Sequence, residues 1–134
     1  MSKKYDMTIG GESVAADNYT DIRNPANTEE VVGQAPVGTR AHLDQAVDAA
    51  AKAFGSWRHS SDSDRADACN AIAKVCTDNA EELAVLLTME QGKPLGGLGS
   101  QFEMGGCGAW AGYTASIKLE DKVIEDSDEK RIIQ

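Results

Sequence analysis

The stretch Asp62–Leu95, DSDRADACNAIAKVCTDNAEELAVLLTMEQGKPL, decides how this 134-residue chain is read. Ala66, Cys69, Ile72, Ala73 and Cys76 recur at helical spacing, and Ala80, Leu83, Ala84, Leu86 and Leu87 carry an apolar face onward. Gly92 suits the left-handed residue that follows a last turn, and Pro94 prevents continuation. Asp78-Asn79 is a weak point, because short polar side chains compete with the helix for backbone groups. Cys69 and Cys76 lie two turns apart on the apolar stripe and read as packed thiols rather than reactive ones.

Upstream, Leu43, Ala46, Val47, Ala50, Ala53, Phe54 and Trp57 define another amphipathic helix, with Thr39 placed to cap it. Before it, Gly10-Gly11 between two short apolar runs predicts a hairpin. Tyr19 to Arg23 and Val31 to Val37 read as strands. Gly33 and Pro36 make the second an expected edge strand. Downstream, glycines 96, 97, 99, 105, 106, 108 and 112 crowd one segment. Phe102, Cys107, Trp110 and Tyr113 still keep helical spacing, so composition says loop and spacing says helix. The helix is the expectation, with a handicap of roughly 5–7 kcal/mol against alanine for the seven glycines. The chain beyond Lys118 is acidic, and Arg131-Ile132-Ile133-Gln134 reads as the opening of a strand.

Composition narrows the function. The net charge of −9 disfavours nucleic acid and anionic membrane surfaces. No apolar run is long enough for a membrane span, and no signal peptide pattern opens the chain, so a cytoplasmic protein is expected. Three cysteines without CxxC or Cys/His spacing fit free thiols in a reducing compartment. A chain of this length would bury about two-thirds of its unfolded surface.

No residue set carries chemistry convincingly. Gly106-Cys107-Gly108-Ala109-Trp110-Ala111 matches GxGxxA, but that fingerprint needs a strand before it, and Ser100 to Met104 is not one. Gly92-Lys93 lacks the rest of a phosphate loop. His42 and His59 have no partners at metal-ligand spacing. Glu29-Glu30, Glu81-Glu82 and Asp62/Asp64 read as solvated carboxylates rather than acid/base pairs. Read from residues alone, the chain has no catalytic, cofactor-binding or metal residue.

The order of segments resembles the start of the aldehyde dehydrogenase superfamily. Ile9-Gly10-Gly11-Glu12 resembles its opening hairpin, and Asn24-Pro25-Ala26-Asn27 its NPAT-type turn. Leu43 to Trp57 is similar to its first helix and Arg65 to Ala84 to the next helical region. Glu90-Gln91-Gly92-Lys93-Pro94-Leu95 is the most specific match. Ala109 to Ala115 and Val123 to Ile133 are similar to the helix and strand that follow.

The resemblance implies an α/β fold: the mainly helical N-terminal part of such an enzyme, with a small hairpin and edge strands. Residues 1–134 would form one portion. It would hold a hairpin and strands over 7–37, helices over about 40–57, 64–91 and 98–115, and an acidic tail with the start of a strand over 119–134. The catalytic domain and most of the cofactor domain would lie elsewhere.

The intact enzyme would use NAD or NADP to oxidise an aldehyde to a carboxylate through a cysteine thiohemiacetal. None of Cys69, Cys76 or Cys107 matches the motif of that cysteine, so the chain alone is expected to bind no cofactor and to be inactive. Expected partners are the rest of such a chain and further copies in a homo-oligomer, with no nucleic acid and no membrane. The alternative is a non-catalytic binding or regulatory module that reuses the segment; the strand opening at Arg131 favours the first reading.

Overall fold

The computed structural model describes residues 3–118, 120 and 122–133. The elements run β1 (Lys3–Lys4), β2 (Met7–Ile9), β3 (Glu12–Val14), β4 (Tyr19–Asn24), β5 (Asn27–Pro36), α1 (Arg40–Trp57), α2 (Asp62–Asp78), α3 (Ala80–Gln91), α4 (Ser100–Ser116), β6 (Val123–Asp126) and β7 (Arg131–Ile133). The class is α/β and mainly helical. Met7 pairs with Val14 and Ile9 with Glu12 across a turn in which Gly10 and Gly11 have φ of 62° and 88°. Two consecutive positive φ values are what a two-residue type I′ turn demands, and glycine supplies them without steric cost.

β5 departs from the edge-strand expectation. It is the centre of a three-stranded sheet, with β1 parallel on one side and β4 antiparallel on the other. Both residues that argued for an edge are accommodated. The last ladder bond from the β1 side, from the Tyr5 N–H to the Gln34 carbonyl at 3.0 Å, falls short of Pro36. At Gly33 a Cβ would stand 3.2 Å from the Tyr5 ring and 3.3 Å from the Lys3 carbonyl oxygen, so the missing side chain makes room for the β1 segment.

The region read as helical over 64–91 begins earlier and is broken once. Ser61 caps α2 from Asp62, accepting from the Asp64 N–H at 3.1 Å, while Asp64 accepts back from the Ser61 N–H at 3.0 Å. This reciprocal box satisfies two donors that the first turn would otherwise leave orphaned. Asn79, at φ −112° and ψ 9°, separates α2 from α3, and its side chain donates to the Val75 carbonyl at 2.8 Å. α3 ends at Gly92, left-handed at φ 70°, whose N–H reaches the Thr88 carbonyl at 2.8 Å.

The glycine-rich segment resolves into both of its readings. Gly96, Gly97 and Gly99 lie in the connection; Gly105, Gly106, Gly108 and Gly112 lie inside α4. The helix-propensity handicap therefore falls to roughly 3–4 kcal/mol for four residues. α4 offsets it by packing along α2 and against α3. A Cβ on Gly108 would stand 2.8 Å from Thr77 Oγ1, so the two backbones approach closely only because the side chain is absent. At the other end of the chain, Arg131–Ile133 is the return strand of a hairpin with β6, closed by a 2.9 Å bond from the Ser127 N–H to the Lys130 carbonyl. Of the expected acidic tail and strand opening, Leu119, Asp121 and Gln134 lie outside the described residues.

The core is thin. Ala84 and Ser100 are buried, whereas Leu43, Val47, Phe54 and Trp57 of α1 and Phe102, Trp110 and Tyr113 of α4 are exposed. The accessible surface is 10244 Å² for 14.2 kDa, against about 6,800 Å² for a compact monomer of this mass. Only about half of the extended-chain surface is buried, not the two-thirds that length alone suggests.

The α2–α4 contact makes opposite effects testable on one helix. Gly108→Val should destabilise by about 1–3 kcal/mol through overpacking against Thr77. Gly105→Ala, whose Cβ meets nothing within 4 Å, should stabilise by up to about 1 kcal/mol through helix propensity. Urea denaturation of both variants checks this, and equal shifts of the same sign would show that the close approach is not what holds α4.

Candidate functional site

Concave surfaces open between the elements. The first, about 300 Å³, opens between the start of α2 and the end of α4, lined by Asp62, Arg65, Ala66, Cys69, Thr114 and Ile117. Arg65 Nε donates to Ser60 Oγ at 3.1 Å, and Nη2 donates to the Ser60 carbonyl at 3.1 Å. Its guanidinium is thus engaged by the α1–α2 linker. The second, about 600 Å³, is an open groove between β2 and the start of α1, lined among others by Met7, Ile9, His42 and Leu43. The third, about 200 Å³, separates α3 from the sheet, with Leu86 and Glu90 facing Tyr5, Ile22 and Val32.

Of the residues weighed for chemistry, Asp62 and Cys69 line the first cavity together, while His42 and Asp64 serve helix caps. Cys69 and Cys76 are half-buried on α2, and Cys107 is exposed on α4. A thiolate nucleophile needs a cation, a base or a helix N-terminus beside it to be activated. The one cation lining the cavity beside Cys69, Arg65, is held on the linker. The GxGxxA glycines lie within the α4 helix, with no strand leading into them. Their N–H groups belong to the helical ladder, so they offer a pyrophosphate no cradle and the residues present do not fit a dinucleotide.

The two histidines are accounted for locally. His42 Nδ1 accepts from the Thr39 N–H at 3.1 Å, and Thr39 caps α1 in return, so this histidine is the third residue of a capping box. His59 Nε2 accepts from Arg58 Nε at 2.9 Å on an exposed linker. Lys93, after Gly92, pairs with Glu103. Glu30 accepts from Asn24 Nδ2 at 2.8 Å, while Glu29, Glu81 and Glu82 face solvent. Among the described residues no group of three or more His, Cys, Asp or Glu stands at metal-holding distance, and no helix is long and apolar enough to cross a membrane.

Hydrogen bonds near the surface perturb the titrations of Tyr19 and Asp64. The Tyr19 hydroxyl donates to Asp6, which holds the phenol above its ordinary range. Ser61, through its hydroxyl and then its N–H, holds the Asp64 carboxyl below the ordinary carboxylate value.

What the structure does assemble is uncovered apolar surface. Leu43, Val47 and Phe54 are each more than half exposed along α1, as are Phe102, Trp110 and Tyr113 along α4. Leu98, at the tip of the α3–α4 connection beside left-handed Gly97, is 82% exposed. Periodicity identified the α1 and α4 stripes but not that these side chains stay exposed among the described residues. The signal available in the sequence was the small share of aromatic residues, too few to close a core over these faces.

A family model described as the aldehyde dehydrogenase family matches residues 13–133. A probable aldehyde dehydrogenase of Pseudomonas sp is 38% identical over 123 residues, covering 92% of this chain and 25% of the relative. The 1-pyrroline-5-carboxylate dehydrogenase 2 of Bacillus subtilis is 38% identical over 94 residues, covering 70% and 18%. The crystal structure of an NAD-dependent aldehyde dehydrogenase from Sinorhizobium meliloti superposes with a TM-score of 0.84 at 30% identity, covering 92% of this chain and 25% of that one. The chain thus spans about a quarter or less of the length of the curated relatives it matches.

The Ser61–Asp64 box predicts a pH response of definite sign. A carboxyl whose folded pKa lies below its unfolded value stabilises the fold above the unfolded value and ceases to do so as pH falls through the folded one. Helical content should therefore decline on acidification through the carboxylate range, and Asp64→Asn should remove part of that decline. Circular dichroism across the acid range checks this; a variant with an unaltered acid profile would show that other carboxylates govern it.

Proposed function

The chain belongs to the aldehyde dehydrogenase family as an N-terminal segment, and from that premise we propose that it is a non-catalytic layer of an aldehyde-oxidising enzyme. The reaction of that enzyme is oxidation of an aldehyde to a carboxylate through a cysteine thiohemiacetal, with NAD or NADP as the oxidant. Residues 1–134 form one portion of it. The nucleophile, the general base and the nucleotide cradle come from polypeptide outside these residues. None of Cys69, Cys76 or Cys107 takes the nucleophile's place, and no residue here binds nucleotide or metal. The intact protein is a cytoplasmic homo-oligomer with no nucleic-acid or membrane partner.

The observation that carries this reading is the surface surplus. Roughly 3,500 Å² more is exposed than a compact monomer of this mass would leave in water. Scattered apolar side chains on a surface need no explanation, but continuous stripes on two helices mark faces that something else covers. In this enzyme the segment's work is mechanical. Its helices support the neighbouring domain and exclude water from the side they cover, and Thr39, His42, Ser61 and Asp64 are engaged in its own caps.

The purified chain should form no NADH or NADPH from aliphatic or aromatic aldehydes. Catalysis needs an activated thiolate, an oxyanion site and a hydrolytic base held together, and no such constellation occurs among the described residues. Spectrophotometry of nucleotide reduction checks it. Turnover lost on one cysteine-to-alanine substitution alone would sink the reading and locate an active site here.

A further inference from the structure

We propose that His42 is a proton-sensitive latch on the start of α1. The neutral imidazole closes the first turn beside the β2 groove, and protonation releases it, a device that does not depend on the family reading above.

α1 and α2 open with the same device built from different chemistry. In α2 the third residue, Asp64, accepts from the Ser61 N–H through a carboxylate. In α1 that place is held by His42, whose Nδ1 accepts from the Thr39 N–H at 3.1 Å. Accepting at Nδ1 requires that the neutral ring carry its hydrogen on Nε2. A carboxylate keeps its acceptors across the neutral range, whereas an imidazole that gains a proton has none left. The Thr39 hydroxyl, also 3.1 Å from Nδ1, can accept from the imidazolium, but the Thr39 N–H then loses its partner. The latch is therefore closed in the neutral form and opens as pH falls through the range in which histidines charge, about pH 8 to 5.

The surroundings of His42 do not offset the new charge. The first turn of α1 holds no acidic residue, so an imidazolium there meets the positive end of the helix uncompensated. On α1 itself Arg40 is a second cation, and it already engages the Asp44 carboxylate at 3.0 Å. Across the groove the facing β2 residues, Met7, Thr8 and Ile9, carry no titratable group. Asp6, just before β2, accepts from the Tyr19 and Ser13 hydroxyls. His42 is half-buried although Thr39, Arg40 and Leu43 around it are exposed, and its ring forms part of the groove wall. Protonation thus acts on the groove of about 600 Å³ as well as on the cap. His59 bonds to Arg58 on the linker at the other end of α1.

The test is NMR of the nitrogen-labelled chain from about pH 8 to about pH 5. At the upper end the His42 ring should carry its hydrogen on Nε2. As the ring charges, the Thr39 amide resonance should move with the same midpoint. Its protection against exchange should fall roughly twofold to tenfold, the worth of one hydrogen bond. His42→Gln supplies a side-chain acceptor that does not titrate and should hold the Thr39 amide constant. His42→Glu, ionised throughout this range, serves in the same way if the first variant folds poorly. His59→Gln and Asp64→Asn should leave the response of the Thr39 amide intact. A neutral ring with its hydrogen on Nδ1, a Thr39 amide that ignores the His42 titration, or the same amide response in His42→Gln each overturns the proposal.

Discussion

The hydroxyl of Ser100, fully buried and accepting from Thr88 Oγ1 at 2.9 Å, fixes where α4 begins relative to α3. The packing of α4 along α2 and against α3 follows from that placement. Gly99 lies so close to the preceding backbone that a Cβ would fall 1.8 Å from the Pro94 carbonyl oxygen. Pro94 and Leu95 supply the acceptors for the first α4 donors, and Gly92, under Pro25 of the β4–β5 turn, ties the same connection to the sheet. With its start fixed, α4 runs back along α2, and its glycine at position 108 meets Thr77. Thr77 cannot rotate away freely, because its hydroxyl is held at 2.9 Å by the Ala73 carbonyl.

This arrangement replaces side-chain burial with backbone proximity. A glycine and alanine interface brings helices close, which favours dispersion between backbones, but removes little apolar area from water. The large side chains are consequently left for the outside of the layer. That distribution is unfavourable for a freestanding domain and suitable for one that is sandwiched. The same logic explains why the hairpin of β6 and β7 exposes Val123, Ile124, Ile132 and Ile133, since a two-stranded ribbon is at best marginal in water without further packing.

Much of the fold was legible in the residues because its decisive signals are local. Gly10-Gly11 requires a turn, Thr39 and Gly92 bound helices, and Asn79 breaks one; each acts through its own backbone. Two features were not legible for the opposite reason. The central position of β5 depends on Lys3 and Tyr5, distant in sequence, finding room beside Gly33. The division of the glycine-rich segment at Ser100 depends on a partner twelve residues away, and serine has no sequence signature for that task. His42 and Asp64 also looked unremarkable, because a capping role is visible only once the helix start is known.

The thin interior has a calorimetric consequence. Unfolding heat capacity and the denaturant slope both scale with newly exposed surface, and the apolar share dominates the former. A chain already half hydrated when folded has little left to expose. Its melting endotherm would be shallow and its denaturation curve broad, with a low enthalpy per residue. Covering the two stripes would sharpen the transition even where the midpoint moved only modestly. For this layer, the steepness of unfolding is therefore a more direct gauge of whether it is sandwiched than the temperature at which it melts.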